Sequence, residues 1–307
     1  MIRWRKSIFL LTVVLLSYLA ATFYFNPKAP TIHSKSAVLM DASTGDILFE
    51  KDATTSYPVA SMSKLMTMYI VLDWIENGSI HWDDRVTISE NANKVGGNAI
   101  TIPVDGGDTL TVHDLFKAMV IPSANNATIA LAEYIAGTEE AFTLLMNEKA
   151  LILGLSDQTY FVNSTGLPNS TMNHSENRMS AKDVTTLAYN LLKSHPHDVL
   201  ETANIQQYHI QSHDIDVYST NKMLSKNNSK TYFKGMDGLK TGFTDAAGYS
   251  FAGTAIQNDK RLISVIMDAE NDESRFIETK KLFSYGFNEV SSPTLKERVK
   301  SFIQKPN

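Results

Sequence analysis

The sequence predicts a mixed α/β (α+β) fold in which one antiparallel sheet of about five strands is covered by helices on both faces. Three observations predict it. Two short apolar runs joined by turn residues stand near the start of the 307-residue chain. The long middle carries apolar residues at three- and four-residue spacing, and strand-like runs return only near the end. Strands from both ends of the chain therefore share one sheet, and the helices between them cover it.

Taken in order, the chain opens with Arg3, Arg5 and Lys6, followed by residues 8–25 (IFLLTVVLLSYLAATFYF), which carry no charge. A basic start and an apolar run form the pattern of a secretory signal or a signal anchor. Roughly eighteen apolar residues just suffice to span a bilayer, while Ala20 and Ala21 offer a weak cleavage site, so both readings stand. The positive-inside rule leaves the basic end in the cytoplasm and everything after Lys28 outside it. Residues 1–30 are thus a signal anchor or signal peptide plus a linker. The protein is expected to be extracytoplasmic, secreted or held at the membrane by this segment.

Residues 36–40 (SAVLM) and 47–50 (ILFE) predict a hairpin across the turn residues Asp41, Gly45 and Asp46. Leu65, Met68, Tyr69 and Leu72 give residues 61–75 a helical period, with Pro58 just upstream, where a chain enters a helix. Further helices are predicted over 110–120, 125–136, 139–153 and 181–192. Residues 248–256 and 261–267 predict a second hairpin around Gln257, Asn258 and Asp259, and 273–285 a closing amphipathic helix. Residues 31–290 read as one domain and 291–307 as a polar, basic tail.

With 43% hydrophobic and 20% charged residues, the chain can bury one large core. A formal net charge of -5 provides no basic surplus for a phosphate backbone, so no nucleic-acid partner is expected. The absence of cysteine excludes disulfides, a thiolate nucleophile and a zinc–thiolate site. His209 and His213 stand four apart, and His195 and His197 flank Pro196, but no H-E-x-x-H occurs, and neither a metal nor another cofactor is expected.

Three short motifs carry chemistry. Ser61-Met62-Ser63-Lys64 places a hydroxyl and an amine three residues apart, on one face of a helix. A serine is a poor nucleophile until a base takes its proton, and a lysine serves once burial and a nearby cation lower its pKa. At a helix start the free N–H groups and the dipole also favour an oxyanion. The tetrapeptide alone is a weak signal, because Ser219-Thr220-Asn221-Lys222 matches it and is read as a decoy for that role. Ser123-Ala124-Asn125 leads into a helix, so its hydroxyl and carboxamide either face a cleft or cap the helix. Ser89-Glu90-Asn91, Ser175-Glu176-Asn177 and Ser225-Lys226-Asn227 share its pattern. Lys240-Thr241-Gly242 occurs once. A strand edge carrying a cation, a hydroxyl and then a glycine can dock an extended peptide ending in a carboxylate as an added strand.

The order of the three motifs resembles the S-x-x-K, S-x-N, K-T-G set of the penicillin-recognising serine enzymes. Residues 37–45 (AVLMDASTG), 58–67 (PVASMSKLMT), 237–245 (DGLKTGFTD), 261–267 (RLISVIM) and 280–287 (KKLFSYGF) resemble the D-alanyl-D-alanine carboxypeptidase family, the low-molecular-mass penicillin-binding proteins. The resemblance covers about residues 35–290. It implies a β-lactamase/DD-peptidase-like three-layer fold. It also implies a serine D,D-carboxypeptidase that removes the terminal D-alanine from peptidoglycan stem pentapeptides ending in D-Ala-D-Ala and is acylated by β-lactam antibiotics. By the same resemblance Ser61 forms the acyl-enzyme, Lys64 is the general base, Ser123 relays a proton to the leaving amine and Asn125 orients the lysine and the substrate amide. Lys240 adds positive field, Thr241 binds the terminal carboxylate, Gly242 completes the motif, and the backbone N–H groups of Ser61 and Phe243 form the oxyanion hole.

Two departures accompany the resemblance. Many relatives have histidine where this chain has Phe243, which bears on substrate preference or pH profile, since the hole needs only the backbone N–H. Many also carry a β-rich second domain and a C-terminal membrane helix; about twenty residues follow Phe287, so that domain is expected to be missing and the N-terminal segment to anchor instead. A D,D-endopeptidase or transpeptidase shares the first half-reaction. A class A-type β-lactamase needs a deacylating glutamate, and in residues 163–180 the only acid is Glu176, without the expected Leu-Asn context. A non-catalytic peptidoglycan-binding protein would be expected to have lost a motif residue.

Overall fold

Strand β1 (Ser36–Asp41) is buried throughout, and its side chains alternate between two cores. Val38 and Met40 join one hydrophobic cluster, and Ala37 and Leu39 join the other. A strand buried on both faces needs cover on both sides, and the helices provide it. This computed structural model describes residues 29–96, 99–168 and 176–291, together with Thr12, Val14 and Ser17. Apart from those three, the expected signal segment 8–25 lies outside the described residues, as does the tail beyond Ser291. Among the described residues no helix is long and apolar enough to cross a membrane.

The other strands are β2 (Ile47–Lys51), β3 (Ser56–Pro58), β4 (Arg85–Thr87), β5 (Thr109–Thr111), β6 (Arg178–Ser180), β7 (Gln207–Ile210), β8 (Ile215–Tyr218), β9 (Met236–Gly242), β10 (Tyr249–Gln257) and β11 (Lys260–Ala269). The helices are α1 (Lys64–Glu76), α2 (Glu90–Asn93), α3 (Val112–Val120), α4 (Asn125–Ala136), α5 (Glu139–Ile152), α6 (Ala181–Ser194), α7 (Pro196–Ala203) and α8 (Asp272–Ser291). The main sheet runs β2-β1-β11-β10-β9, with every neighbour pair antiparallel. The two ends of the chain therefore meet where β1 pairs with β11, Val38 opposite Val265. Helix α8 covers one face through Phe276, Leu282 and Phe283, packed with Leu39 and Phe251. Helix α6 covers the other through Val184, Leu187 and Leu191, in one cluster with Val38 and Val265.

The turn chemistry agrees with the hairpins read from sequence, although the late one is tighter. Strands β10 and β11 are joined by Asn258 and Asp259 alone, both at positive φ (49° and 61°), as a two-residue type I′ connection requires. Three differences from the sequence expectations have physical reasons. The helix expected from residue 110 begins at Val112, because Thr111 caps it by accepting from the Asp114 N–H, and residues 109–111 pair with β4 instead. The helix expected from Ser61 begins at Lys64, preceded by a tight 3-10 turn over Ala60–Ser63. Residues 196–203, read only for their histidines, form α7 with Pro196 in its first turn.

Candidate active site

The 3-10 turn Ala60–Ser63 sits between the sheet and the helical layer and presents Ser61 half-buried at the floor of a cleft of about 470 Å³. Two glycines let other segments close on this turn. A Cβ on Gly166, at φ +84°, would lie 1.9 Å from the Ala60 carbonyl oxygen. A Cβ on Gly242 would lie 2.8 Å from Val59 O and 3.2 Å from Met62 N. The end of β9 and the loop around Gly166 thus clasp the turn from two sides, bringing the Phe243 peptide beside that of Ser61.

Lys64 opens α1 and is fully buried. Its Nζ lies 2.9 Å from Ser61 Oγ, 2.8 Å from Asn125 Oδ1 and 2.8 Å from the Thr165 carbonyl oxygen. The carboxamide orientation is fixed independently, because Asn125 Nδ2 donates to Ile100 O at 3.0 Å. Burial pushes the Lys64 ammonium well below its ordinary range, and the positive charge of Lys240 adds to that, against the opposing charge of Glu139. A neutral amine has two N–H donors and one lone pair. Asn125 Oδ1 and Thr165 O can only accept, so they take both N–H groups. The lone pair is then left facing the one partner able to donate, the Ser61 hydroxyl.

Ser123 precedes α4 with φ at +75°, a left-handed conformation that a non-glycine residue adopts at a cost. Its Oγ is buried at the cleft and has no hydrogen-bond partner among the described residues. A capping role does not account for it: the N-cap of α4 is Ala124, with no side-chain cap bond. By contrast Ser89, in a look-alike triplet, does cap α2 by accepting from the Ala92 N–H at 2.9 Å.

The K-T-G stretch ends β9, the edge strand of the sheet. Thr241, Gly242 and Phe243 line the cleft with Ser61, Ser123 and Asn125. Lys240 is among neither the lining residues nor the exposed ones; it is buried, with Nζ donating to Thr241 O at 3.2 Å. Burial, then the adjacent Arg275 charge, lowers its pKa to about 7. Its influence on the cleft is therefore through field rather than contact. Phe243 is 47% exposed and stacks on Tyr249 with ring centroids 4.2 Å apart.

Ser61, Ser123, Asn125, Thr241, Gly242 and Phe243 line the cleft, Lys64 contacts two of them, and Lys240 alone of the expected residues stands buried behind; three further residues join the site. Arg275, in the first turn of α8, lines the cleft and donates to Gly242 O at 3.0 Å and Ser250 O at 3.2 Å, locking the end of β9. Thr220 lines it too, its hydroxyl 2.7 Å from that of Thr241. Thr220 belongs to the tetrapeptide set aside as a decoy. Ser219 indeed accepts from the Asn221 N–H, and Lys222 pairs with Asp272, so neither acts as a nucleophile pair. Thr165 contributes a backbone carbonyl, held by the Asn163 side chain accepting from the Thr165 and Gly166 N–H groups.

Among the described residues, one group of side chains is close enough to hold a metal ion: Asp73, Glu76 and His195. It lies at the far end of α1 from Ser61, and Lys149 already pairs with Asp73 at 2.5 Å. His195 Nε2 lies 2.9 Å from the same carboxylate. These contacts account for the cluster as a tie between α1, α5 and the α6–α7 junction.

A five-stranded antiparallel sheet between helical layers, with a serine–lysine pair at a helix start facing the edge strand, is the architecture of the penicillin-recognising serine proteins. The D-alanyl-D-alanine carboxypeptidase family profile matches residues 24–271, and the chain belongs to that family. D-alanyl-D-alanine carboxypeptidase DacF of Bacillus subtilis is 32% identical over 267 residues, covering 86% of this chain and 65% of its own length. The chain thus spans slightly less than two thirds of that relative. Penicillin-binding protein D2 from Listeria monocytogenes, solved in the ampicillin-bound form, matches with a TM-score of 0.74 and 34% identity over 84% of this chain and 98% of that one. PBP3 from Streptococcus pneumoniae, described as a peptidoglycan synthesis regulatory factor, matches with a TM-score of 0.78 and 39% identity, covering 83% of this chain and 72% of that one.

Proposed function

We propose that the protein is a serine D,D-carboxypeptidase that removes the terminal D-alanine from peptidoglycan stem pentapeptides, and that β-lactams acylate the same serine. The observation that carries this reading is the Lys64 amine, deprived of its proton by burial and aimed by two acceptors at Ser61 Oγ 2.9 Å away.

The substrate lies along β9 with its terminal carboxylate at Thr241, in the positive field of Lys240 and Arg275. Ser61 Oγ attacks the carbonyl carbon of the last peptide bond as its proton passes to Lys64 Nζ. The oxyanion is held by the backbone N–H groups of Ser61 and Phe243. As the C–N bond breaks, the leaving amine takes a proton through Ser123, whose buried hydroxyl has its hydrogen-bonding capacity unspent among the described residues. Water then attacks the ester, with Lys64 again taking the proton, and releases the shortened peptide. The domain 31–290 acts outside the cytoplasm, and residues 8–25 carry it there as signal or anchor.

Mass spectrometry of a D-Ala-D-Ala pentapeptide after incubation tests the reading. Loss of one alanine by wild-type protein, abolished in Ser61→Ala together with covalent labelling by fluorescent penicillin, is the expected result. An intact pentapeptide, with cleavage of a cross-linked peptide dimer instead, would move the assignment to an endopeptidase.

A further inference from the structure

The loop that supplies the Thr165 carbonyl to Lys64 is pinned by two helices through the residue before it, Ser164, which is fully buried. From α1, Thr67 Oγ1, one turn beyond Lys64, donates to Ser164 O at 2.8 Å. From α5, Glu139 Oε1 accepts from the Ser164 N–H at 2.9 Å and from Ser164 Oγ at 2.5 Å. Glu139 thus takes both donors that Ser164 offers, and Thr67 fills its carbonyl. A buried residue whose polar groups are all spent has no cheap way to turn, so the carbonyl that follows it is held toward Lys64. Acids in the first turn of a helix also complement its dipole. Glu140 meets that need from an exposed site, whereas Glu139 is half-buried and turned inward to Ser164.

Burial disfavours the Lys64 ammonium, and two charges act on it in opposite directions, Lys240 from β9 and Glu139 from α5. Acylation makes that ammonium: as Ser61 Oγ bonds to the acyl carbon, its proton passes to Lys64 Nζ. The positive charge therefore appears in a place that burial makes hostile to it. A carboxylate already fixed in the surrounding structure offsets that cost at the step where the charge develops. Resting on the acyl-enzyme reading above, we propose that Glu139 is a positioning residue for acylation: through Ser164 it aims the Thr165 carbonyl at Lys64, and its carboxylate supports the ammonium that forms there. Aim and field come from one side chain, yet they depend on different parts of it. Both hydrogen bonds end on Oε1, so an amide can keep them without the charge.

The test follows the rate of acylation by fluorescent penicillin across pH in wild-type protein and three single variants. Glu139→Gln keeps an oxygen for both Ser164 donors and removes only the charge. Its acid limb is expected about one pH unit lower, because the charge that favours the Lys64 ammonium is gone. Its plateau is expected to fall about threefold, as for a weaker base. Glu139→Asp keeps the charge but is one methylene too short for Ser164. Its acid limb stays near that of wild type while its plateau falls by about ten- to a hundredfold, the scale of a misplaced reacting group. Glu140→Gln removes an acid from the same helical turn and matches wild type in limb and plateau. An acid limb unmoved in Glu139→Gln, or a wild-type plateau in Glu139→Asp, would overturn the inference while leaving the acyl-enzyme reading intact. Wild-type protein that penicillin does not label would overturn that reading and this inference together.

Discussion

The Nζ of Lys64 stands 2.9 Å from Ser61 Oγ while its two other contacts, Asn125 Oδ1 and Thr165 O, can only accept hydrogen bonds. That asymmetry decides the direction of proton flow: the amine has nowhere else to place its lone pair. It also separates charge from basicity as the useful property of the residue. Arginine at this position retains the charge but cannot give up its proton.

Lys64→Arg and Lys64→Met are therefore expected to fail alike. Acylation by fluorescent penicillin should slow by about 10²- to 10⁴-fold in both, the usual contribution of a positioned general base. Stopped-flow labelling measures it. An arginine variant within tenfold of wild type would show that the positive charge, rather than the lone pair, is what the site needs.

The pH profile follows from two lysines with opposite requirements. Lys64 acts neutral, so activity rises with pH through its depressed pKa. Lys240 acts as a cation and loses its proton at about 7 in the free protein, so kcat/KM falls above that pH. A bell is expected in kcat/KM, with its alkaline limb displaced upward in kcat, because a bound substrate carboxylate favours protonated Lys240. Lys240→Arg should remove the alkaline limb, and Lys240→Met should move the acid limb to higher pH by removing a charge that holds Lys64 neutral. An alkaline limb unchanged in Lys240→Arg would assign it to another group.

Gly242 holds two segments at a distance that only a hydrogen permits. In Gly242→Ala the new methyl would meet Val59 O at 2.8 Å and Met62 N at 3.2 Å, so β9 must move off the serine turn. Because the Phe243 N–H moves with it, acylation is expected to drop by about 10²- to 10³-fold, as for loss of an oxyanion donor. A reduced acylation rate with little change in thermal midpoint distinguishes a displaced hole from a failed fold. A variant acylating at the wild-type rate would show that the hole lies elsewhere.

How much of this was legible in the sequence varied with the kind of contact. The sheet hairpins announced themselves through Gly45 and the Asn258-Asp259 pair, since turns need particular residues. The ribbon of β3 with β6 did not, because three-residue strands have no period and Ser56 finds Ser180 only after the helical layer is assembled. The same division runs through the site. Ser61 and Lys64 were readable only through the order of the three motifs, since Ser219 and Lys222 share their spacing, and Thr241 from the motif that occurs once. Thr165 was not, because a backbone carbonyl is common to every residue type. Arg275 resembles any charged residue in the first turn of an amphipathic helix, and only the fold shows that it reaches the end of β9.

Burying Lys240 has a cost in stability whose pH dependence can be worked out. Its folded pKa of about 7 lies below the ordinary lysine value of 10.5. Between those values the unfolded chain binds the extra proton, so stability rises with pH across that window. What the group contributes is recovered fully only above the unfolded pKa, and is lost as pH falls toward 7. Lys240→Met removes the penalty while filling similar volume, so it is expected to be more stable than wild type at pH 7, by a few kcal/mol or several degrees in thermal midpoint. The advantage should shrink by about 1.4 kcal/mol per pH unit as pH is raised from 7 toward 10. Lys64 shifts in the same direction in both proteins, but less in the variant, which lacks the Lys240 charge, and that difference adds to the advantage at pH 7. Urea denaturation of the two proteins across this range measures the gap. A gap that stayed constant, or a wild type more stable at pH 7, would mean that the Lys240 ammonium is held in the fold at no net cost.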